Sequence, residues 1–507
     1  MTDQPSESRL SPLMVLVLAP LAGALVTLSL APYKLWPAGL LSCAILAWLL
    51  STCTPRQALW RGWLYGLGMF GSGVSWVYVS IHVHGYAPVP LAATLTALFC
   101  AGLALFPALF GLLYVRFIRP LPGGMLMGFP LLWVLFEWLR SWILTGFPWL
   151  LLGYAHVETP IAGWAPIVGV FGLSFVCAIT GVCAFLAWRS RQPVAVATYG
   201  VIVLTLWAGG AVLKPIQWVA RASEQPLSTA IYQPNVPQEH KWDRQYYYPI
   251  LRQLEEGTIP LLGHDIVVWP EAAIPNYYQN ARSFIDPIAA QASMTDTTLV
   301  TGIPYRPEGT QHYHNSILAL GGGTGVYHKQ RLVPFGEYVP LEGVLRGLIA
   351  FFDLPMSAFT AGPTGQSPLQ AGAYRMAPYI CYEIVYPDLV ASTASNADLL
   401  ITISNDSWFG ESIGPLQHLQ MAQMRALENG RYLIRGTNNG VSAIINHRGQ
   451  IVKASEQFIE TTLVGEVETM LGKTPFGSFG SWPVVIGSAL GLGLMYLMYL
   501  AFWREAD

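Results

Sequence analysis

Long apolar runs separated by short polar breaks decide most of what this chain can fold into. Seven fill residues 12–212, at roughly 12–31, 36–52, 61–81, 91–115, 122–139, 161–188 and 194–212, and an eighth covers roughly 483–503. A helix needs ~17–20 apolar residues to cross ~30 Å of hydrocarbon. Each run is therefore read as a membrane span, with 36–52 the shortest. Composition agrees: 53% of residues are hydrophobic and 11% charged, against about 25% charged in an ordinary soluble domain. A net charge of -2 gives no footprint for a nucleic-acid partner. Only Arg9 precedes the first run and further runs follow at once, so that run is read as a retained span and not as a cleaved signal.

Basic residues in the breaks set an orientation. One set of ends carries Arg9, Arg56, Arg61, Arg116, Arg119, Arg189, Arg191 and Arg504; the other carries Lys34, Arg140 and Lys214. The alternation is unbroken and predicts cytoplasmic N- and C-termini. The expected division is a seven-span membrane domain at 1–214, an outer catalytic domain at 215–480, and a last span with a short tail at 481–507. In a Gram-negative cell this is an inner-membrane protein whose second domain is periplasmic.

Within the membrane part, Glu137 and Arg140 are three residues apart, share a helix face and have the reach to pair. Ionisable groups at that depth are costly and often functional, and a snorkelling arginine is the plainer alternative. His82 and His84 have no third ligand candidate nearby, so no metal site is expected there.

Residues 226–470 alternate β-rich runs with helical stretches, as an α/β layered domain does. Strands are expected at Leu227–Ile231, Asp265–Trp269, Thr298–Ile303, Ser316–Leu320, Ala377–Cys381, Leu399–Ser404 and Ser442–Asn446, and an amphipathic helix at Gln417–Arg431. Gly321–Gly325 lacks the Gly-Lys-Ser/Thr ending of a phosphate loop and reads as a hairpin turn. Of the six cysteines only Cys381 lies in this stretch, with no local partner for a disulfide. Glu271 and Cys381 close apolar strands, and Lys329 follows another such run. Strand ends are where α/β sheets place their chemistry. A thiol needs a base, which Glu271 supplies, and an oxyanion needs a positive neighbour, which Lys329 supplies. About 50–60 residues separate these groups, so only the fold can unite them.

Trp-Pro-Glu-Ala at 269–272, His-Lys-Gln-Arg-Leu-Val-Pro-Phe-Gly-Glu-Tyr-Val-Pro at 328–340 and Ile-Cys-Tyr-Glu at 380–383 resemble the nitrilase, or carbon–nitrogen hydrolase, superfamily. Asn405-Asp-Ser-Trp-Phe-Gly410 and Gly414-Pro-Leu-Gln-His418 extend the likeness. Seven leading spans and one trailing span narrow it to the bacterial apolipoprotein N-acyltransferase family, over essentially the whole chain. The segments Glu137–Trp149 and Gln233–Asp243 are similar to that family too.

The resemblance implies a fold of about eight transmembrane helices plus an αββα sandwich. It implies Cys381 as nucleophile, Glu271 as general base and Lys329 as oxyanion stabiliser. Glu337, Tyr382, Glu383 and Trp242 fall at positions the family treats as important, Glu337 or Glu383 to hold Lys329 or share proton transfers. The implied reaction is ping-pong. A phospholipid, with phosphatidylethanolamine the expected donor, acylates the thiol, and the α-amine of a diacylglyceryl-modified apolipoprotein takes the acyl chain as an amide. No metal or organic cofactor is implied. The apolar stretch 341–360 is expected to form a lid or arm toward the bilayer, with core packing as the alternative. Two rivals remain at this level: a membrane-tethered amidase acting on a small amide, and a lipid-binding or transport protein with an inactive sandwich. Eight spans argue against the first and the intact triad against the second.

Overall fold

The computed structural model describes residues 11–339 and 358–503. The expected arm therefore lies outside the described residues except at 358–360, where Phe359 is buried edge-on to Tyr313 and its amide donates to the Glu337 carbonyl.

All eight apolar runs reappear as helical segments, but they differ in length. Among the described residues five helices are long and apolar enough to cross a membrane: Pro12–Ser29, Val89–Ile118, Pro160–Ser190, Pro193–Leu213 and Trp482–Ala501. A sixth crossing would be the pair Pro55–Gly73 and Val77–His84, bent by 61°. Its first helix starts six residues before the expected run because Thr54 and Gln57 form a capping box and Pro55 takes the first helical position. It breaks after Gly73, and Trp76 turns in against Trp149 and Phe409. Trp36–Ser51 is a shorter apolar helix. The run at 122–139 becomes a π-helical turn, Gly124–Gly128, leading into the 12-residue helix Phe129–Arg140.

Pro160–Ser190 is the centre of this part, 78% buried along its apolar stretch, whereas Pro193–Leu213 lies on the outside with 6% buried. Small residues let the helices approach. A Cβ on Gly23 would lie 1.9 Å from the Tyr65 carbonyl oxygen, and one on Gly68 1.9 Å from that of Pro20. The first and third helical runs thus cross backbone to backbone, as small residues permit in membranes.

The rest is a two-sheet sandwich. One sheet runs Thr461–Val467, Leu227–Gln233, Ile266–Val268, Thr298–Tyr305, His314–Gly321, Val326–His328. The other runs Ile451–Ala454, Ala443–Ile445, Leu433–Thr437, Leu399–Ser404, Tyr374–Ile380, Leu369–Ala371, Gly323–Thr324. The central neighbours are parallel in both. Alternation does the layering. Ile231, Ile266, Ile380, Ile401 and Ile434 fill the space between the sheets. Ala230, Tyr232 and Val267 pack outward against the helices Tyr247–Thr258 and Tyr278–Met294. On the other side Ala377, Tyr379 and Leu400 join Gly414–Asn429 and the membrane helices in one continuous core. The amphipathic helix expected at Gln417–Arg431 runs Gly414–Asn429, and that continuity explains why it is buried all round.

Gly23→Val or Gly68→Val should lower the thermal midpoint of the detergent-solubilised protein, overpacking costing about 1–3 kcal/mol or more. Gly71→Val, where nothing lies within 4 Å, should leave it unchanged.

Candidate active site

Three strand ends meet at one edge of the sandwich. Ile266–Val268 leads through Trp269-Pro270 to Glu271, Val326–His328 ends before Lys329, and Tyr374–Ile380 of the facing sheet ends before Cys381. The approach is tight: a Cβ on Gly302 would lie 2.7 Å from the Glu271 Cα.

Lys329 is 1% exposed, with its Nζ 2.9 Å from Glu337 and 3.6 Å from Glu271 Oε1. Burial alone would lower its basicity, but Glu337, Glu271 and the Cys381 sulfur outweigh that and hold the ammonium form. Asn315 bridges the two acids, its Nδ2 donating to Glu271 Oε1 at 2.7 Å and Glu337 Oε1 at 2.8 Å. The Asn405 amide donates to Glu271 Oε2 at 2.9 Å and the Val333 amide to Glu337 Oε2 at 2.9 Å. Lys241 Nζ donates to the Glu271 main-chain carbonyl at 2.9 Å. Cys381 sits with φ 52°, a left-handed conformation that costs a non-glycine residue energy. Burial pushes its thiol well up, Glu271 adds to that, and Lys329 pulls back. The resting sulfur is therefore a thiol, and it needs a base to become a nucleophile.

The other expected residues divide. Glu337 joins the cluster as the direct partner of Lys329. Glu383 does not reach Lys329: wholly buried, it accepts from the amides of Ile380, Gln330 and Arg331 and from the Tyr327 hydroxyl, at 2.7–3.1 Å. It ties the Lys329 loop to the Cys381 turn. Tyr382 points away from the cluster and donates to the Gly146 carbonyl at 3.0 Å, while Tyr386 donates to that of Thr145 at 2.9 Å and Thr145 Oγ1 lies 2.6 Å from the Tyr338 hydroxyl. The loop after Phe129–Arg140 is thus fastened to both the Cys381 and the Glu337 segments. Trp242 is half-buried at the end of Gln238–Lys241, beside the lysine that holds Glu271, and its shielded indole N–H finds no acceptor among the described residues.

Glu137 and Arg140 bond to different partners, and Glu137 Oε2 is buried without a hydrogen-bond partner among the described residues. Glu137 accepts from Trp133 Nε1 and the Leu152 amide, and Arg140 donates to the carbonyls of Phe147 and Trp149. They shape the loop that grips Tyr382. His82 and His84 bond to the carbonyls of Ala87 and Ser407. Asn315, Lys241 and Arg435 escaped the sequence reading as site residues. A strand asparagine 44 residues from the acid it holds gives no local signal.

Asn315→Leu should lower activity by about 10- to 100-fold, the loss of hydrogen bonds to charged groups worth about 1.5–3 kcal/mol, as read by initial rates. Burial raises the Glu383 carboxyl from 4.5 to about 7 against the opposing pull of its amide donors. The folded chain then binds more protons there than the unfolded one, so this contribution to stability declines as pH climbs from 4.5 through about 7. Glu383→Gln keeps three of the four accepted bonds and should flatten that slope in thermal scans while preserving activity. Glu383→Leu should fail to fold.

Two family models match the chain: apolipoprotein N-acyltransferase N-terminal domain over residues 22–183, and carbon-nitrogen hydrolase over residues 228–476. The apolipoprotein N-acyltransferase of Azotobacter vinelandii is 46% identical over 498 residues, covering 97% of this chain and 95% of its own length. That of Pseudomonas aeruginosa is 46% identical over 495 residues, covering 96% of each. That of Coxiella burnetii is 41% identical over 473 residues, covering 92% of this chain and 97% of its own. Similarity of this order runs through the membrane helices and the sandwich alike, and the chain belongs to the apolipoprotein N-acyltransferase family, acyltransferases of the carbon–nitrogen hydrolase superfamily.

Proposed function

We propose that this protein moves an acyl chain from a phospholipid, through a thioester on Cys381, to the α-amine of an S-diacylglyceryl-cysteine at an apolipoprotein N-terminus, the final step of lipoprotein maturation. The observation that carries this reading is a thiol, a carboxylate and a buried ammonium gathered beside a loop fastened to membrane helices. In the first half-reaction Glu271 takes the thiol proton as Sγ attacks the ester carbonyl. Lys329 meets the oxyanion. The tetrahedral adduct collapses to a thioester, and the departing lysophospholipid alkoxide takes the proton back from Glu271. In the second half the neutral amine attacks the thioester, Glu271 accepts a proton from nitrogen, and the thiolate leaves and is reprotonated. Glu337 keeps Lys329 charged throughout.

Membrane anchoring has a reason in this chemistry. Drawing a C16 chain into water costs about 12 kcal/mol at roughly 0.8 kcal/mol per methylene, so the thiol must work at the leaflet. Phosphatidylethanolamine is the proposed donor. The proposed arrangement has residues 1–214 and 481–507 in or at the inner membrane, both termini cytoplasmic, and residues 215–480 periplasmic; the charge bias of the loops supports it.

Purified protein mixed with phosphatidylethanolamine carrying a labelled chain, without acceptor, should acquire label that hydroxylamine releases. Cys381→Ala should acquire none, and Lys329→Met should slow labelling by about 10²–10³-fold. Folded wild type that never takes label from any phospholipid would sink the assignment.

A further inference from the structure

The proposed chemistry uses Glu271, Lys329 and Cys381, yet the other side of Cys381 is also built. Leu399–Ser404 lies parallel to Tyr374–Ile380 with Ile403 opposite Ile380, so Ser404 falls across from Cys381. Its Oγ is 3.4 Å from the Cys381 sulfur and 2.6 Å from Asp406 Oδ1. Asp406 Oδ2 accepts from Arg435 Nη2 at 2.6 Å. His418, from the helix Gly414–Asn429, places Nε2 3.1 Å from the Cys381 carbonyl oxygen and Nδ1 3.2 Å from Arg435 Nη2. All four side chains are at most 1% exposed.

The Cys381 carbonyl can only accept, so His418 carries a proton on Nε2 and donates it there, while Nδ1 stands between Arg435 Nη2 at 3.2 Å and Asp406 Oδ1 at 3.3 Å. Burial and Arg435 push His418 below its ordinary value, in keeping with a neutral ring. Burial would raise Asp406, but Arg435 and His418 outweigh it and keep the carboxylate ionised. The network forms a closed loop: sulfur, serine, aspartate, arginine, histidine, and back to the cysteine carbonyl. Ser404 has one hydroxyl hydrogen and two neighbours that can accept it.

We infer that Ser404 is a further catalytic residue, whose hydroxyl hydrogen follows the charge on Cys381. Asp406 receives it while the sulfur is a thiol or thioester, and the sulfur receives it while it is a thiolate. Asp406 and His418 are positioning residues: Asp406 parks the hydroxyl between turnovers, and His418 holds the carbonyl of a residue in a strained conformation. No proton is transferred; the O–H bond rotates. A hydrogen bond to the charged form stabilises it, and Arg435 stays on Asp406 when the serine turns away. The charged groups facing the sulfur are Glu271, Lys329 and Asp406, so the serine is a neutral donor among them.

This inference rests on Cys381 being the nucleophile but is read without lipid. The full-length protein in detergent would be alkylated with iodoacetamide across pH, with Cys381→Ala as the blank. In Ser404→Ala the alkylation rate should fall about tenfold across the pH range below the thiol's midpoint, the equivalent of a shift of about one pH unit. Acyl-enzyme formation should slow about tenfold at an unchanged half-saturating lipid concentration, and Ser404→Thr should recover both. A Ser404→Ala profile that superimposes on wild type overturns the inference, as does a shift that Ser404→Thr shares, which would follow shape and not the hydroxyl. Should Ser404→Ala fail to fold, His418→Leu against His418→Gln decides. The glutamine keeps an N–H for the Cys381 carbonyl and should recover an alkylation rate that the leucine loses; equal rates overturn the positioning role. Loss of acyl labelling in wild type with the alkylation shift intact would refute acyl transfer alone.

Discussion

Lys329 keeps a full positive charge where 1% of its surface reaches solvent, and much of the sandwich edge is arranged around that fact. An isolated buried ammonium would lose its proton. Two carboxylates prevent this, and a single asparagine holds both of them. The carboxylates in turn take main-chain amides from Asn405 and Val333. The Oε1 atoms thus serve Asn315 and Lys329, and each Oε2 takes an amide from a different segment of the chain. Removing one member leaves a charge without its partner, which is more damaging than never having buried the pair.

The same arrangement answers why the thiol is not already a thiolate. Glu271 opposes a second negative charge beside it, and burial opposes it further. Under the proposed chemistry, the nucleophile is charged only when Glu271 takes its proton, which restrains premature reaction. The cost is a demand on geometry. Carboxylate and ammonium come from one sheet and the sulfur from the other, and Glu383 ties the lysine loop to the cysteine turn with four hydrogen bonds.

The membrane part is joined to this edge, not merely tethered. Tyr382 and Tyr386, flanking the Cys381 turn, donate to carbonyls of the loop that Glu137 and Arg140 shape, and Tyr338 holds the same loop from the Glu337 side. Trp149, at the end of that loop, donates to Gln417 on the helix that also carries His418. The core runs without a break from the strand residues Ala377 and Tyr379 into the spans. One consequence is that the ends of the membrane helices fix where the thiol sits relative to those helices.

Local pattern determined a great deal here. Apolar length announced the helices, continuous hydrophobic runs announced doubly covered strands such as Leu399–Ser404, and the polar residues closing those runs announced Glu271 and Cys381. Pattern could not count crossings, because a capping box at Thr54 and a break at Gly73 turn one expected run into a bent pair. It missed the strand Leu433–Thr437, whose buried Arg435 interrupts an apolar run and makes sense only once Asp406 is beside it. It left Glu337 and Glu383 as equals, although one bonds Lys329 and the other clamps backbone. Those distinctions belong to tertiary structure for one reason. Chain-local signals report what a segment does to itself, whereas a buried charge is decided by whichever distant strand end the fold brings within 3 Å of it.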